Sequence, residues 1–100
     1  MSDWHNKSTD DLCQALLSLR TQAECYAFLE DICTIKEILN IAQRLTVTKM
    51  LAKGASYAEI GKKTGVSTAT ISRISKCYAY GTGGYRLVIR RCEGEDDHAG

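Results

Sequence analysis

The feature that most restricts the fold is a glycine, Gly65, between two short amphipathic segments in the stretch 56–77, SYAEIGKKTGVSTATISRISKC. Ser56 followed three residues later by Glu59 is a capping box, so the spacing predicts a helix that starts there and runs through Ile60, Gly61, Lys62 and Lys63. Thr64-Gly65-Val66 then stops it, because Gly65 takes the left-handed conformation that closes a helix. Ser67 can accept a hydrogen bond from the first amides of a second helix and so starts it. Two short helices joined by a tight turn form a helix-turn-helix. Glycine in a helix interior costs about 1 kcal/mol against alanine, so Gly61 is expected to make room where the second helix crosses the first. Ile60, Val66, Ile71 and Ile74 fall where the two helices need apolar contacts. Thr68, Ala69, Ser72, Arg73 and Lys76 are left on the outward face of the second helix.

Small hydroxyl residues with two cations suit a helix that enters a major groove. Hydroxyls and the Ala69 methyl can touch base edges, while lysine and arginine reach phosphate or guanine. The expected DNA-binding set is Lys62, Lys63, Ser67, Thr68, Ala69, Thr70, Ser72, Arg73 and Lys76. An ordinary solvated helix pair is the bland alternative, but cap, glycine turn and apolar spacing coincide here.

Composition bounds the rest. A chain of 100 residues is one domain, able to bury roughly 60 to 65% of its unfolded surface. The absence of proline and the period of the apolar pattern point to an all-α protein of five to six short helices. Net charge is +1 but uneven: residues 1–40 carry three cations and seven carboxylates, a net −4. Residues 41–92 carry ten cations and only Glu59, and residues 93–100 carry Glu93, Glu95, Asp96 and Asp97. A near-neutral total thus hides a basic stretch that contains the helix-turn-helix, as an electrostatic footprint for nucleic acid should.

Cys13, Cys25, Cys33, Cys77 and Cys92 are an odd count without paired C-x-x-C spacing, so no zinc site is indicated. Cys25 lies on an apolar helical stripe and reads as a small core residue. With no apolar leader and no apolar run near 18 residues, no membrane is expected and the cytoplasm is the default compartment.

Along the chain, residues 1–7 read as a short mobile tail, with Trp4 and His5 unremarkable in it. Ser8 is expected to cap a first helix that carries Leu12, Cys13, Leu16 and Leu17 and ends near Arg20. Thr21 with Glu24 is a second capping box, followed by Cys25, Phe28, Leu29 and Ile32 at i, i+3, i+4 and i+7. Thr34 with Glu37 is a third, opening the longest helix, which carries Ile35, Ile38, Leu39, Ala42, Leu45 and Leu51 and ends at Lys53-Gly54. Several of these faces are wider than one neighbour would cover, and surplus apolar surface points to a homodimer.

After the second helix of the motif, Tyr78 and Tyr80 lead into the breaker Gly81-Thr82-Gly83-Gly84. This run follows a helix and lacks the G-K-[ST] ending of a phosphate loop, so it reads as a turn. Tyr85, Val88, Ile89 and Cys92 favour a short final helix, although Leu87-Val88-Ile89 is also β-prone and residues 85–92 are open to a strand. Residues 93–100 are acidic and poor in large apolar groups, which predicts a disordered tail. The expected division is therefore tail 1–7, a helical DNA-binding domain 8–92 with its helix-turn-helix at 56–77, and tail 93–100.

The long helix with its Lys-Gly stop, the tight link and the stretch GVSTATISRISK together resemble the Trp repressor superfamily, most closely its YerC/YecD-like branch. The resemblance covers about residues 10–90, and ATISR is its most specific part. It implies an intertwined dimer joined through the N-terminal helices, with two helix-turn-helix units that read opposite halves of an operator. It also implies an effector site: Arg44 and Arg73 match the two arginines that hold the amino-acid co-repressor, and Thr34 matches a polar pocket residue. Where the repressors have glycine directly after the second arginine, this chain has Ile74. An indole would have less room, so tryptophan is not expected as the co-repressor.

The leading expectation is a sequence-specific DNA-binding transcriptional regulator, read as a repressor, that acts on double-stranded DNA as a homodimer. The rival is a helical dimeric protein-interaction module that kept the fold without specific DNA binding. An enzyme is not expected, because there is no set of histidine, acid and nucleophile, no metal cluster, and His5 and His98 both sit in the tails. No cofactor is called for.

Overall fold

The computed structural model describes residues 3–94, and among them are six α-helices and no strand. They are α1 (Lys7–Leu17), α2 (Gln22–Ile32), α3 (Ile35–Ala52), α4 (Tyr57–Thr64), α5 (Thr68–Tyr80) and α6 (Gly84–Cys92). The chain divides into two units, Met1–Ile38 and Leu39–Gly100, with α3 running through the boundary.

In the first unit the opening helix is capped by Asn6, not by Ser8, and starts two residues earlier than the spacing predicts. The Asn6 side chain accepts from the Thr9 amide at 3.0 Å, and the Thr9 hydroxyl accepts from the Asn6 amide at 2.9 Å. Asparagine caps as well as serine does, and Thr9 takes the reciprocal place usually held by glutamate or glutamine. The helix also stops earlier, at Leu17, where the Ser18 hydroxyl donates to the Ala15 carbonyl at 2.6 Å. Thr21 caps α2 as expected, but Glu24 reaches the Arg20 amide at 2.8 Å, so the box closes one residue upstream of the cap. The Thr34–Glu37 box forms in both directions, at 3.1 and 2.8 Å.

No residue of α1 or α2 is buried. Cys25, read as a core residue, is half-buried, while Leu17, Tyr26 and Ile32 are exposed.

The core lies in the second unit, where Val47, Ile60, Ile71 and Ile74 form one buried cluster, with Met50, Leu51, Ala55 and Val66 packed against it. Ile60, Ile71 and Ile74 take the inward positions that the spacing assigned them, and Val66 is half-buried. The side of α3 that meets them differs from expectation. Val47 and Thr48 are fully buried, whereas Leu39 and Ala42 are exposed. The Thr48 hydroxyl is satisfied by the Arg44 carbonyl one turn back, at 2.8 Å, which is how a hydroxyl can occupy a core position.

Helix α3 ends in a Schellman motif: Gly54, at φ 85°, donates to Leu51, and Ala55 donates to Met50, each at 3.0 Å. That turn points the chain into α4. Residues 85–92, open between helix and strand in the sequence, lie within α6, which buries Ile89. Glu93 and Gly94, just past the end of α6, are the part of the C-terminal tail within the described residues; the disorder expected for the acidic tail and the tail position of His98 lie outside them.

Candidate nucleic-acid interface

The helix-turn-helix is held by local hydrogen bonds as well as by the core. Ser56 accepts from the Glu59 amide at 3.1 Å, and the Glu59 carboxylate accepts from the Ser56 amide at 2.8 Å. The hydrogen bond from the Ser56 backbone, and then that with its side chain, hold the Glu59 carboxyl below the usual glutamate range. At the other end Gly65 sits at φ 76°, and its amide donates to the Gly61 carbonyl at 2.8 Å. Thr64 ties off the turn, donating to Ile60 at 2.7 Å and accepting from the Val66 amide at 3.2 Å. Gln43 of α3 braces the same turn by donating to the Thr64 carbonyl at 3.2 Å, a contact the sequence pattern gave no sign of.

Gly61 does not have the role expected of it. A methyl group built there would meet the Val66 carbonyl of the turn at 3.4 Å, which is an ordinary contact, and no atom of α5 within 4 Å. A Cβ would clash instead at Gly81, where it would lie 2.4 Å from the Cys77 carbonyl that accepts from the Gly81 amide at the end of α5.

The nine residues assigned to DNA fall into three groups. Ser67, Thr70 and Arg73 are linked along α5: Ser67 accepts from the Thr70 amide at 3.2 Å, its hydroxyl donates to the Thr70 hydroxyl at 3.1 Å, and an Arg73 Nη donates to that same oxygen at 3.3 Å. These polar atoms organise the start of α5. Thr68, Ala69 and Lys76 are exposed, and Ser72 beside them is half-buried. Lys62 and Lys63 are exposed in the last turn of α4, where cations also complement the helix dipole.

The start of α5 also differs electrostatically from the helices before it. Each of α1 to α4 has a carboxylate in its first turn, and α5 has none. The positive end of its dipole therefore has no carboxylate in the first turn, the condition under which a helix start attracts phosphate.

Of the three effector-site candidates, Arg44 and Arg73 come together. They line a cavity of about 260 Å³ with Thr70, Ile74, Cys77 and Tyr85. Cys77 and Tyr85 carried no signal for this in the sequence, because only the fold brings α6 to the side of α5. Ile74 is 5% exposed and belongs to the core cluster, so its bulk is fixed in place. Thr34 belongs to the other unit, where its hydroxyl and amide are both taken by the cap of α3.

Among the described residues no group of histidine, cysteine and carboxylate could hold a metal ion, and the five cysteines are free thiols. No helix among them is long and apolar enough to cross a membrane.

This arrangement of helices is shared with known proteins. The family model of the Trp repressor protein matches residues 7–93. The uncharacterized protein YerC of Bacillus subtilis (strain 168) is 47% identical over 85 residues, covering 85% of this chain and 82% of YerC. A TrpR-like protein from Eubacterium eligens superposes with a TM-score of 0.85 at 44% identity, covering 92% of this chain and 95% of that one. A solved structure from Staphylococcus aureus also has a TM-score of 0.85, at 39% identity, with 93% of each chain covered. With the family model, the sequence and the fold in agreement over nearly the whole length, the chain belongs to the Trp repressor family, in the branch of YerC.

Proposed function

We propose that the protein is a sequence-specific, DNA-binding transcriptional regulator that acts as a homodimer in the cytoplasm. The observation that carries this reading is the start of α5, where exposed Thr68 and Ala69 stand beside amides with no carboxylate in the first turn. Thr68, Ala69, Ser72 and Lys76 meet base edges and adjacent phosphates in the major groove, Lys62 and Lys63 hold the backbone, and Ser67, Thr70 and Arg73 keep the reading end in shape. The family suggests a regulator of this kind.

The dimer is supported by the apolar side chains left uncovered on α1, α2 and the first half of α3, among them Leu12, Leu16, Leu17, Ile32, Leu39 and Ile41. A second copy would remove such surface from water at about 25 cal/mol per Å². The arginines Arg44 and Arg73 suit a small carboxylate or phosphate ligand, whose charge two guanidinium groups can share. Tryptophan is not the ligand in this reading, because Ile74 occupies the position where a ring would need glycine.

Measuring affinity for duplex DNA against salt tests the reading. Counterion release makes log affinity fall by about 0.9 per phosphate contact for each unit of log salt. A steep slope supports a DNA-binding protein, whereas a chain that docks proteins through its apolar faces gives a flat one.

A further inference from the structure

Half of the positive charge in the second unit lies away from both the helix-turn-helix and the cavity beside it. Of the ten cations in residues 41–92, Lys62, Lys63, Arg73 and Lys76 belong to α4 and α5, and Arg44 to the cavity beside α5. Lys49, Lys53, Arg86, Arg90 and Arg91 come from the end of α3 and from α6.

Four of these surround two adjoining clefts. Lys49 and Lys53 line one of about 310 Å³, and Arg86 and Arg90 line one of about 330 Å³ together with Tyr78. Ala52, Ile89 and Glu93 are common to both, so among the described residues Glu93 is the carboxylate that shares the lining with these four cations. Arg86 is fixed in orientation: its Nε donates to the Tyr78 carbonyl at 3.2 Å, and its guanidinium carbon lies 4.9 Å from the centre of the Tyr78 ring. With the Nε edge occupied, the two terminal nitrogens remain to form a fork toward an oxyanion. Cations near a helix end also complement its dipole. That effect acts within each helix and does not explain why two helices bring their cations to the same pair of clefts.

We propose that this α3–α6 cluster is a second phosphate-binding surface, which holds the sugar-phosphate backbone of a nucleic-acid segment other than the one read by α5. Tyr78 lies ten residues beyond Thr68 on α5, about 15 Å along the axis at 1.5 Å per residue. The cluster thus adjoins the far end of the recognition helix. Its donors are charges around an apolar floor of Ala52 and Ile89, so it recognises the repeated charge of a backbone and not a sequence. The consequence is bridging, with one stretch of duplex read by α5 and another held at α6.

A bead-bound duplex loaded with the full-length protein tests this by its capture of a second, labelled duplex of unrelated sequence. Wild type should capture it. Lys49→Gln/Lys53→Gln should reduce capture about tenfold, in line with a salt slope lower by about 0.9 per lost contact, with affinity for the first duplex nearly unchanged. Arg86→Gln, checked for intact helicity because Arg86 also joins α6 to α5, should act in the same direction. Capture that the lysine variant leaves unchanged, or preferential binding of poly-glutamate over duplex at these clefts, would overturn the proposal. Absence of any sequence preference in wild type would instead sink the reading of α5, and a capture defect in the lysine variant would still stand.

Discussion

Ser56, Glu59, Gly61 and Gly65 show how far single residues decide the motif. Ser56→Ala removes the cap of α4 and should cost about 1 kcal/mol in urea unfolding. Because the Glu59 carboxyl is held below the usual glutamate range, its contribution is fully present above about pH 4.3, the ordinary glutamate value, and is lost as pH falls through the lower folded value. Glu59→Gln should therefore flatten the fall in melting temperature below that pH, and an unchanged profile would contradict the assignment. The two glycines of the motif should separate. Gly65→Ala forces a side chain to φ 76° and should cost about 1 to 2 kcal/mol. Gly61→Ala has room for its methyl and should stabilise by up to about 1 kcal/mol through helix propensity. If both destabilise alike in urea melts, the turn is tighter than the geometry shows.

At the scale of the elements, the helices were legible wherever a cap chemistry marked them. Ser56, Thr34 and Ser67 began helices as the spacing required, and Gly65 ended one. The first helix departs from its expected start because its cap is not Ser8, while Asn6 and Thr9 form a reciprocal pair of capping bonds that begins two residues upstream. Inside that helix Asp11 pairs with Lys7 at 2.6 Å. Helix α5 continues three residues past Cys77 because nothing stops it until Gly81. The core face of α3 was missed for a different reason: Val47 stands between two threonines, and only the crossing of α4 and α5 makes Val47 and Thr48 the buried positions. The face of α5 makes its own prediction. Lys62→Ala or Lys63→Ala should weaken binding to all duplexes alike, whereas Thr68→Ala or Ser72→Ala should change which sequence wins by roughly 1 to 3 kcal/mol per lost base contact. Competition between duplexes measures both, and mutants that all scale affinity without altering preference would refute the assigned face.

For the whole molecule, the contrast is between a small core and a large uncovered apolar surface. Val47, Ile60, Ile71 and Ile74 carry the core cluster, so Ile74→Gly should cost at least the 2 to 5 kcal/mol typical of deleting a buried aliphatic side chain. Calorimetric titration of tryptophan is therefore informative on the wild type, where no appreciable binding is expected. Tight binding that raises affinity for DNA would show that Ile74 leaves the ring enough room. The exposed leucines and isoleucines of α1 to α3 predict a homodimer at micromolar concentration, and sedimentation of a stable monomer would exclude it.

Dimerisation and groove reading meet in one consequence, which is symmetry. Two copies related by a twofold axis place their recognition helices about 34 Å apart, or a multiple of that, and so read inverted half-sites on one side of the duplex. Selection of bound sequences from a random duplex pool measures this directly. The account predicts enrichment of a palindrome whose half-sites are spaced by whole helical turns. A pool that stays random after repeated selection, although the protein is folded and dimeric, would contradict it.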